Sequence, residues 1–275
     1  MTQTAQMHDA PGGRWPGLVS HERDTNAAEG SAGLILVCEH ASNRFAAPWG
    51  ELGLTEAERQ AHIAWDPGAL GLARGLAARL GAMLIHAPLS RLIVDCNRAP
   101  DHPGAMPARS EVYDIPGNAA IGAQARQDRI AAIYTPFHAT LHDAVARQLA
   151  RGLRPALISV HSFTPVFHGK RRTLEFGVIH DADPTLAQAI VAGADAMTTL
   201  RSALNAPYSA ADDVTHTLRL HATPYGLPSA MLEVRNDLIA TPATQDVMAR
   251  TLAPVLAHAL LESGAQSAPA KAGAR

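Results

Sequence analysis

The chain has 275 residues, 47% hydrophobic and 17% charged, with a formal net charge of −2. This is enough apolar material for a sizeable core, and it leaves no basic footprint for nucleic acid or an anionic membrane surface. No apolar run approaches the ~18 residues that span a bilayer, the N-terminus lacks the basic start and apolar stretch of a secretory signal, and two cysteines, Cys38 and Cys96, do not make a disulfide framework; a cytoplasmic protein is expected.

Residues 1–30 are polar and rich in Gly, Ala and Asp, so a loose N-terminal segment is expected, with a frayed tail over 266–275. Between them, over 31–265, no linker, repeat or composition shift appears, and a single domain is predicted. GLILVCEH (33–40) reads as the first strand. TEAERQAHI follows a threonine able to cap a helix. DPGALGLARGLAARLG predicts a longer helix, with Asp66 at the cap, Pro67 in the first turn and Gly81 at the end. AMLIHAP (82–88) and LIVDCN (92–97) read as the next two strands, followed by a helical region over 119–151. ALISVHSF (156–163), EFGVIHD (175–181) and SAMLEVRN (229–236) complete the strands, with helices over 184–204 and 241–263. Apolar strands alternating with helices predict a sheet covered on both faces, a three-layer α/β/α sandwich.

Three of the strands share one peculiarity: each is apolar along its length and polar at its C-terminal end. The first ends in Cys38-Glu39-His40, the fourth in His161-Ser162, the sixth in Glu233-Val234-Arg235, and the LIVDCNR stretch carries Asp95, Asn97 and Arg98 at the same place. If these strands are parallel neighbours, the polar groups line one edge of the sheet, where α/β folds bind ligands. A buried His or Glu without a partner is costly, so the groups must satisfy one another or face a cleft. Two histidines on neighbouring strand ends with carboxylates nearby suggest a divalent metal, zinc above all, with a position open to water. His40 and His161 are the expected nitrogen ligands. Asp66 is the better candidate for the third, since Asn43 would offer only a neutral amide oxygen. Glu39 is expected on the face of its strand opposite His40. His138 and His142, one helical turn apart, read as part of an ordinary amphipathic helix, and His62, His86, His180 and His216 as structural or solvent-facing.

In order along the chain, CEHASNRF, HIAWDPGA, SRLIVDCNR, IPGN (115–118), YTPFH, VHSFTPVF, NAPY (205–208), LHA (220–222) and LEVRNDL together resemble the N-formylglutamate amidohydrolase family, from about Leu34 to Leu238. The resemblance implies a mixed, mostly parallel sheet like that of zinc carboxypeptidases and related deacylases. It also implies hydrolysis of an N-formyl or N-acyl amide on an acidic amino acid, a small-molecule substrate. By position, His40 and His161 take the metal-ligand places and Glu233 that of the general base. Arg98, after Asn97, resembles the Asn-Arg pair that holds substrate carboxylate in the carboxypeptidase relatives. Those relatives carry glutamate three residues after the first histidine, where this chain has Asn43, so the third ligand stays open between Asn43 and Asp66.

Arginine's planar fork suits carboxylates, which makes Arg91, Arg98, Arg109 and Arg235 candidates for substrate binding, with Arg171 and Arg172 on the loop after VHSFTPVFHGK. Asn118 and His221 lie inside family-like motifs and could orient substrate; Ser162, beside His161, could hydrogen-bond in support. Glu233 could pair with Arg235, two residues on. No G-x-S-x-G elbow supports a serine hydrolase. Two alternatives stand: a non-catalytic protein that keeps an anion pocket, and a deacylase or peptidase for another N-acyl amino acid. The Pro/Gly-rich stretch 101–118 is a candidate lid, and the sequence is silent on oligomeric state.

Overall fold

A computed structural model describes residues 20–22 and 33–264; the expectations for the remainder of the N-terminal segment and for the tail lie outside the described residues. The strands are β1 (Ser20–Glu22), β2 (Leu34–Cys38), β3 (Met83–His86), β4 (Arg109–Ser110), β5 (Tyr113–Asp114), β6 (Ala156–Phe163), β7 (Val166–Phe167), β8 (Lys170–Arg171), β9 (Phe176–Ile179), β10 (Ser202–Leu204) and β11 (Ser229–Arg235). The helices are α1 (Glu56–Gln60), α2 (Ala69–Leu80), α3 (Pro116–Ala119), α4 (Ala123–Arg129), α5 (Thr135–Ala150), α6 (Thr185–Met197), α7 (His216–His221) and α8 (Pro242–Glu262). One mixed sheet runs in the order β1-β3-β2-β6-β11-β9-β10. β3, β2, β6 and β11 are mutually parallel; β9 runs antiparallel to β11, and β1 antiparallel to β3. β4–β5 and β7–β8 form two small hairpins outside it.

Period-two alternation sorts the central strands between two cores. Leu34, Leu36, Ile158, Val160, Leu232 and Val234 pack with α2, α6 and α8. Ile35, Val37, Leu157 and Met231 face the other way, onto α5, α7 and the 92–94 segment. A one-residue slip would exchange the two faces, so the burial of both sides fixes the register.

Three expectations need correction. Residues 92–97 are not a strand: Ser90 and Asp95 satisfy local backbone groups, Ser90 Oγ accepting from the Leu92 N–H and Asp95 Oδ1 from the Asn97 N–H, so this apolar run is buried as a succession of turns. Asp66 does not cap α2. The cap is Gly68, at φ 83°, where a Cβ would lie 2.2 Å from the Ile239 carbonyl oxygen, so only glycine fits. The long helices expected over 119–151 and 184–204 are interrupted: the first region holds α4, a five-residue π-helical turn and α5, and the second ends at Met197 before β10.

Candidate functional site

Adjacent parallel strands β2, β6 and β11 end on the same side of the sheet. Glu233 on β11 is the register partner of His161 on β6, and Val37 on β2 pairs with Ser159. Residues 37, 159, 161 and 233 therefore share one face, and Glu39, two after Val37, continues that row. β2 stops at Cys38, and the turn at 39–40 swings His40 towards His161; the ring centroids lie 4.8 Å apart. The period-two rule thus placed Glu39 correctly on its own face, but it did not hold for His40 beyond the strand. The Asp66 N–H donates to the His40 carbonyl at 2.9 Å, which brings the segment before α2 alongside the same strand end.

Asp66 Oδ2 lies 3.3 Å from His40 Nδ1 and 2.8 Å from His161 Nδ1. One donor atom from each of His40, Asp66 and His161 falls within 4.8 Å of the others, and all three residues are buried. The opposite nitrogen of each imidazole is held by a different carboxylate: His40 Nε2 meets Asp95 Oδ1 at 2.8 Å, and His161 Nε2 meets Glu39 Oε2 at 3.2 Å and Ser159 Oγ at 2.8 Å. Such partners orient each ring and would let its Nδ1 turn a lone pair towards a cation. Two imidazoles and a carboxylate, each buttressed from behind, could hold a divalent metal ion.

The electrostatics follow from three carboxylates packed around two rings. Burial pulls the His161 imidazole down, but Glu39 and Asp66 hold it well above its ordinary range; His40 is raised against burial by Asp95 and Asp66. Burial would raise the carboxyls, but the histidines overcome it: Asp66 and Asp95 sit below the usual carboxylate range and Glu39 at about 2. Glu233 is the exception. Burial and the neighbouring Asp66 push it up to about 7 against the pull of His161, and its Oε2 is buried with no hydrogen-bond partner among the described residues.

All of these groups but Glu39 line a cleft of about 560 Å³ that also takes in His62, Asn97, Arg98, Ser162, Arg172 and Tyr208. Arg91 spans its floor, Nη1 lying 3.1 Å from His40 Nδ1 and 3.3 Å from Asp66 Oδ1, while Nε and Nη2 donate to the Ile63 and His62 carbonyls. Arg98 Nη1 donates to the Asp212 carbonyl. Asn97 ties the cleft wall to α7, its Nδ2 donating to the Val214 carbonyl and its Oδ1 accepting from the Thr217 N–H. Ser162 supports Asp66, donating its N–H to Oδ2, while its hydroxyl donates to the Pro67 carbonyl.

Other expected residues are not brought to the cluster. Asn43 donates to Gln60 and to the Arg59 carbonyl in a separate groove, because the chain turns away after His40. Arg235 pairs with Asp237 and Glu175 and bonds the carbonyls of residues 172–174, so it anchors the strand entry to β9 rather than pairing with Glu233. Arg109 is an exposed partner of Asp114 on the β4–β5 hairpin. Asn118 is buried under the 92–97 turns, bonded to Arg129 and to the Leu92 and Pro107 carbonyls. His221 Nε2 meets His138 Nδ1 at 2.8 Å. Sequence reasoning passed over the histidine-holding roles of Glu39 and Asp95, and over His62 and Tyr208 in the cleft. For Glu39 the signal was present, since it directly precedes His40; Tyr208 comes from 205–208, which nothing local connects to the strand ends.

The N-formylglutamate amidohydrolase family model matches residues 32–240, a span that contains every residue of the cleft. The chain is similar to the Agrobacterium tumefaciens gene product Atu2144, at 44% identity, 92% of this chain, 97% of that one and a TM-score of 0.86. It shares its fold with N-formylglutamate amidohydrolase from Ralstonia eutropha JMP134, at 18% identity, 86% of this chain, 95% of that one and a TM-score of 0.66. No curated protein matches it in sequence. With three quarters of its length covered by one family model, this chain belongs to the N-formylglutamate amidohydrolase family.

Proposed function

We propose that the protein is a zinc-dependent amidohydrolase that cleaves the N-formyl or N-acyl amide of an acidic amino acid. The observation that carries this reading is the convergence of His40, Asp66 and His161, each histidine backed by its own carboxylate, beside a Glu233 oxygen with no partner among the described residues. A divalent cation held by those three side chains would polarise the amide carbonyl and make water acidic enough to attack near neutral pH. Glu233 takes a proton from the attacking water as its oxygen adds to the carbonyl carbon, then returns that proton to the departing nitrogen as the C–N bond breaks. The products are formate, or another carboxylate, and the free amino acid. Its buried, partnerless oxygen suits Glu233 to accept and release that proton. Arg91 holds Asp66 in place, and Arg98, whose hydrogen bond among the described residues goes to a backbone carbonyl, presents its guanidinium to a substrate carboxylate.

The test is zinc content of the purified protein combined with a panel of N-formyl and N-acetyl amino acids, read by release of free amine. Near-stoichiometric zinc and turnover of an N-acyl acidic amino acid are expected. Turnover restricted to other amino acids would make it a deacylase of different specificity. Metal-free protein that binds these compounds without cleaving them would make it a binding protein.

A further inference from the structure

Arg172 and Tyr208 stand in the wall of the cleft that holds His161 and Glu233. The guanidinium carbon lies 4.4 Å from the Phe167 ring centroid, 5.2 Å from that of Tyr208 and 5.5 Å from that of Phe163. Both terminal nitrogens donate to the Tyr208 hydroxyl at 3.3 Å, and Nη1 reaches the Thr164 carbonyl at 3.4 Å. Arg235 and Arg91 are each paired with carboxylates, whereas the described partners of Arg172 are a phenol and a carbonyl. Rings over its faces restrict a guanidinium to in-plane partners, and the partner that matches its edge is a carboxylate. The Tyr208 oxygen already accepts two N–H groups, so its own proton is left to donate outward. Burial and the nearby Glu233 raise this phenol, which therefore keeps that proton.

The segment that carries Tyr208 is seated by β9. Gly177 is the register partner of Glu233, and a Cβ there would lie 1.8 Å from the Ala206 carbonyl oxygen. The missing side chain lets residues 206–208 close down beside the base, so Gly177 is a positioning residue for Tyr208.

We propose that Arg172 and Tyr208 form a preassembled receptor for one carboxylate of the substrate's amino-acid moiety, separate from the contact made by Arg98. The proposal rests on the hydrolase reading, and its test is built to fail separately. Three probes are used: N-formylglutamate, N-formylglutamine, and N-formylglutamate amidated at its α-carboxylate. Hydrolysis by the zinc-loaded wild type is compared with that by R172M and Y208F. R172M is expected to lose about tenfold or more in kcat/KM on N-formylglutamate, mostly through KM, and to lose the wild-type preference over one of the two amides. The amide no longer discriminated identifies which carboxylate is held. Y208F keeps the ring and should shift KM the same way but less, and it carries the test should R172M not fold. K170M, at an exposed neighbour on β8, is expected to match wild type. Undiminished preference over both amides in R172M and Y208F would overturn the proposal. If wild type hydrolyses none of the three probes, the N-formylglutamate activity is ruled out, and calorimetric titration with glutarate decides the receptor alone. Binding by wild type that is lost in R172M supports it; equal binding, or none to wild type, overturns it.

Discussion

His40 with His161 and His138 with His221 are two pairs of buried imidazoles in contact, with ring centroids 4.8 Å and 5.1 Å apart. Their surroundings are opposite. The first pair is enclosed by Glu39, Asp66 and Asp95, which raise both rings and hold their orientation. Among the described residues the second meets no carboxylate directly: His138 Nε2 donates to the Cys96 carbonyl, its Nδ1 accepts from His221 Nε2, and His221 Nδ1 is buried with no partner there. Burial, the largest influence, holds His138 at about 4 and His221 at about 3. Buried histidines become candidates for metal binding when carboxylates stand behind them; without such acids they are neutral struts, here tying α5 and α7 to the turn that carries Asp95.

Four substitutions would break or sharpen this contrast. Glu233→Gln should reduce kcat by about 10²–10⁴-fold with zinc content retained, since it removes the proton acceptor and leaves the three donors in place. Unchanged turnover in a zinc-replete variant would end its role as base. Asp95→Asn should weaken zinc affinity or activity by about 10–100-fold, because His40 loses the acceptor that orients it; competition against a chelator measures this.

The second pair predicts a pH effect on stability. Above the ordinary histidine value of 6.5 neither folded nor unfolded chain protonates these rings, and their contribution is complete. As pH falls from 6.5 towards 4 and then 3, the unfolded chain binds protons that the folded chain refuses, and stability drops. Denaturation midpoints in urea should show a loss of roughly a few kcal/mol over this window, part of which is absent in His221→Asn. A variant with the same pH slope as wild type would remove the pair from the account. The smallest effect is expected from Asn43→Ala, which breaks only hydrogen bonds to Gln60 and Arg59: zinc content unchanged and turnover within about twofold. Lost zinc there would restore Asn43 as a ligand.

Much of the fold was legible. Strands β2, β3, β6, β9 and β11 coincide with apolar runs bounded by polar residues, and their alternation matches the two cores. The 92–94 run misled because a turn stabilised by Ser90 and Asp95 buries the same apolar residues that a strand would. β10 was absorbed into a predicted helix because Ser202–Leu204 is too short to carry a period of its own.

From its sequence alone, the chain determines where its strands end and that His40, His161 and Glu233 sit on those ends, because apolar periodicity is local and stops where polar residues begin. The tertiary structure decided which acids meet them. Asp66 is 26 residues from His40 and 95 from His161, Asp95 is 55 from His40, and Glu39 is 120 from the Ser159 it bonds. It also decided that Asn43, Arg109 and Arg235 turn elsewhere and that Tyr208 arrives over Gly177. Parallel strand order and turn geometry select such long-range partners, and neither is written in the spacing of neighbouring residues.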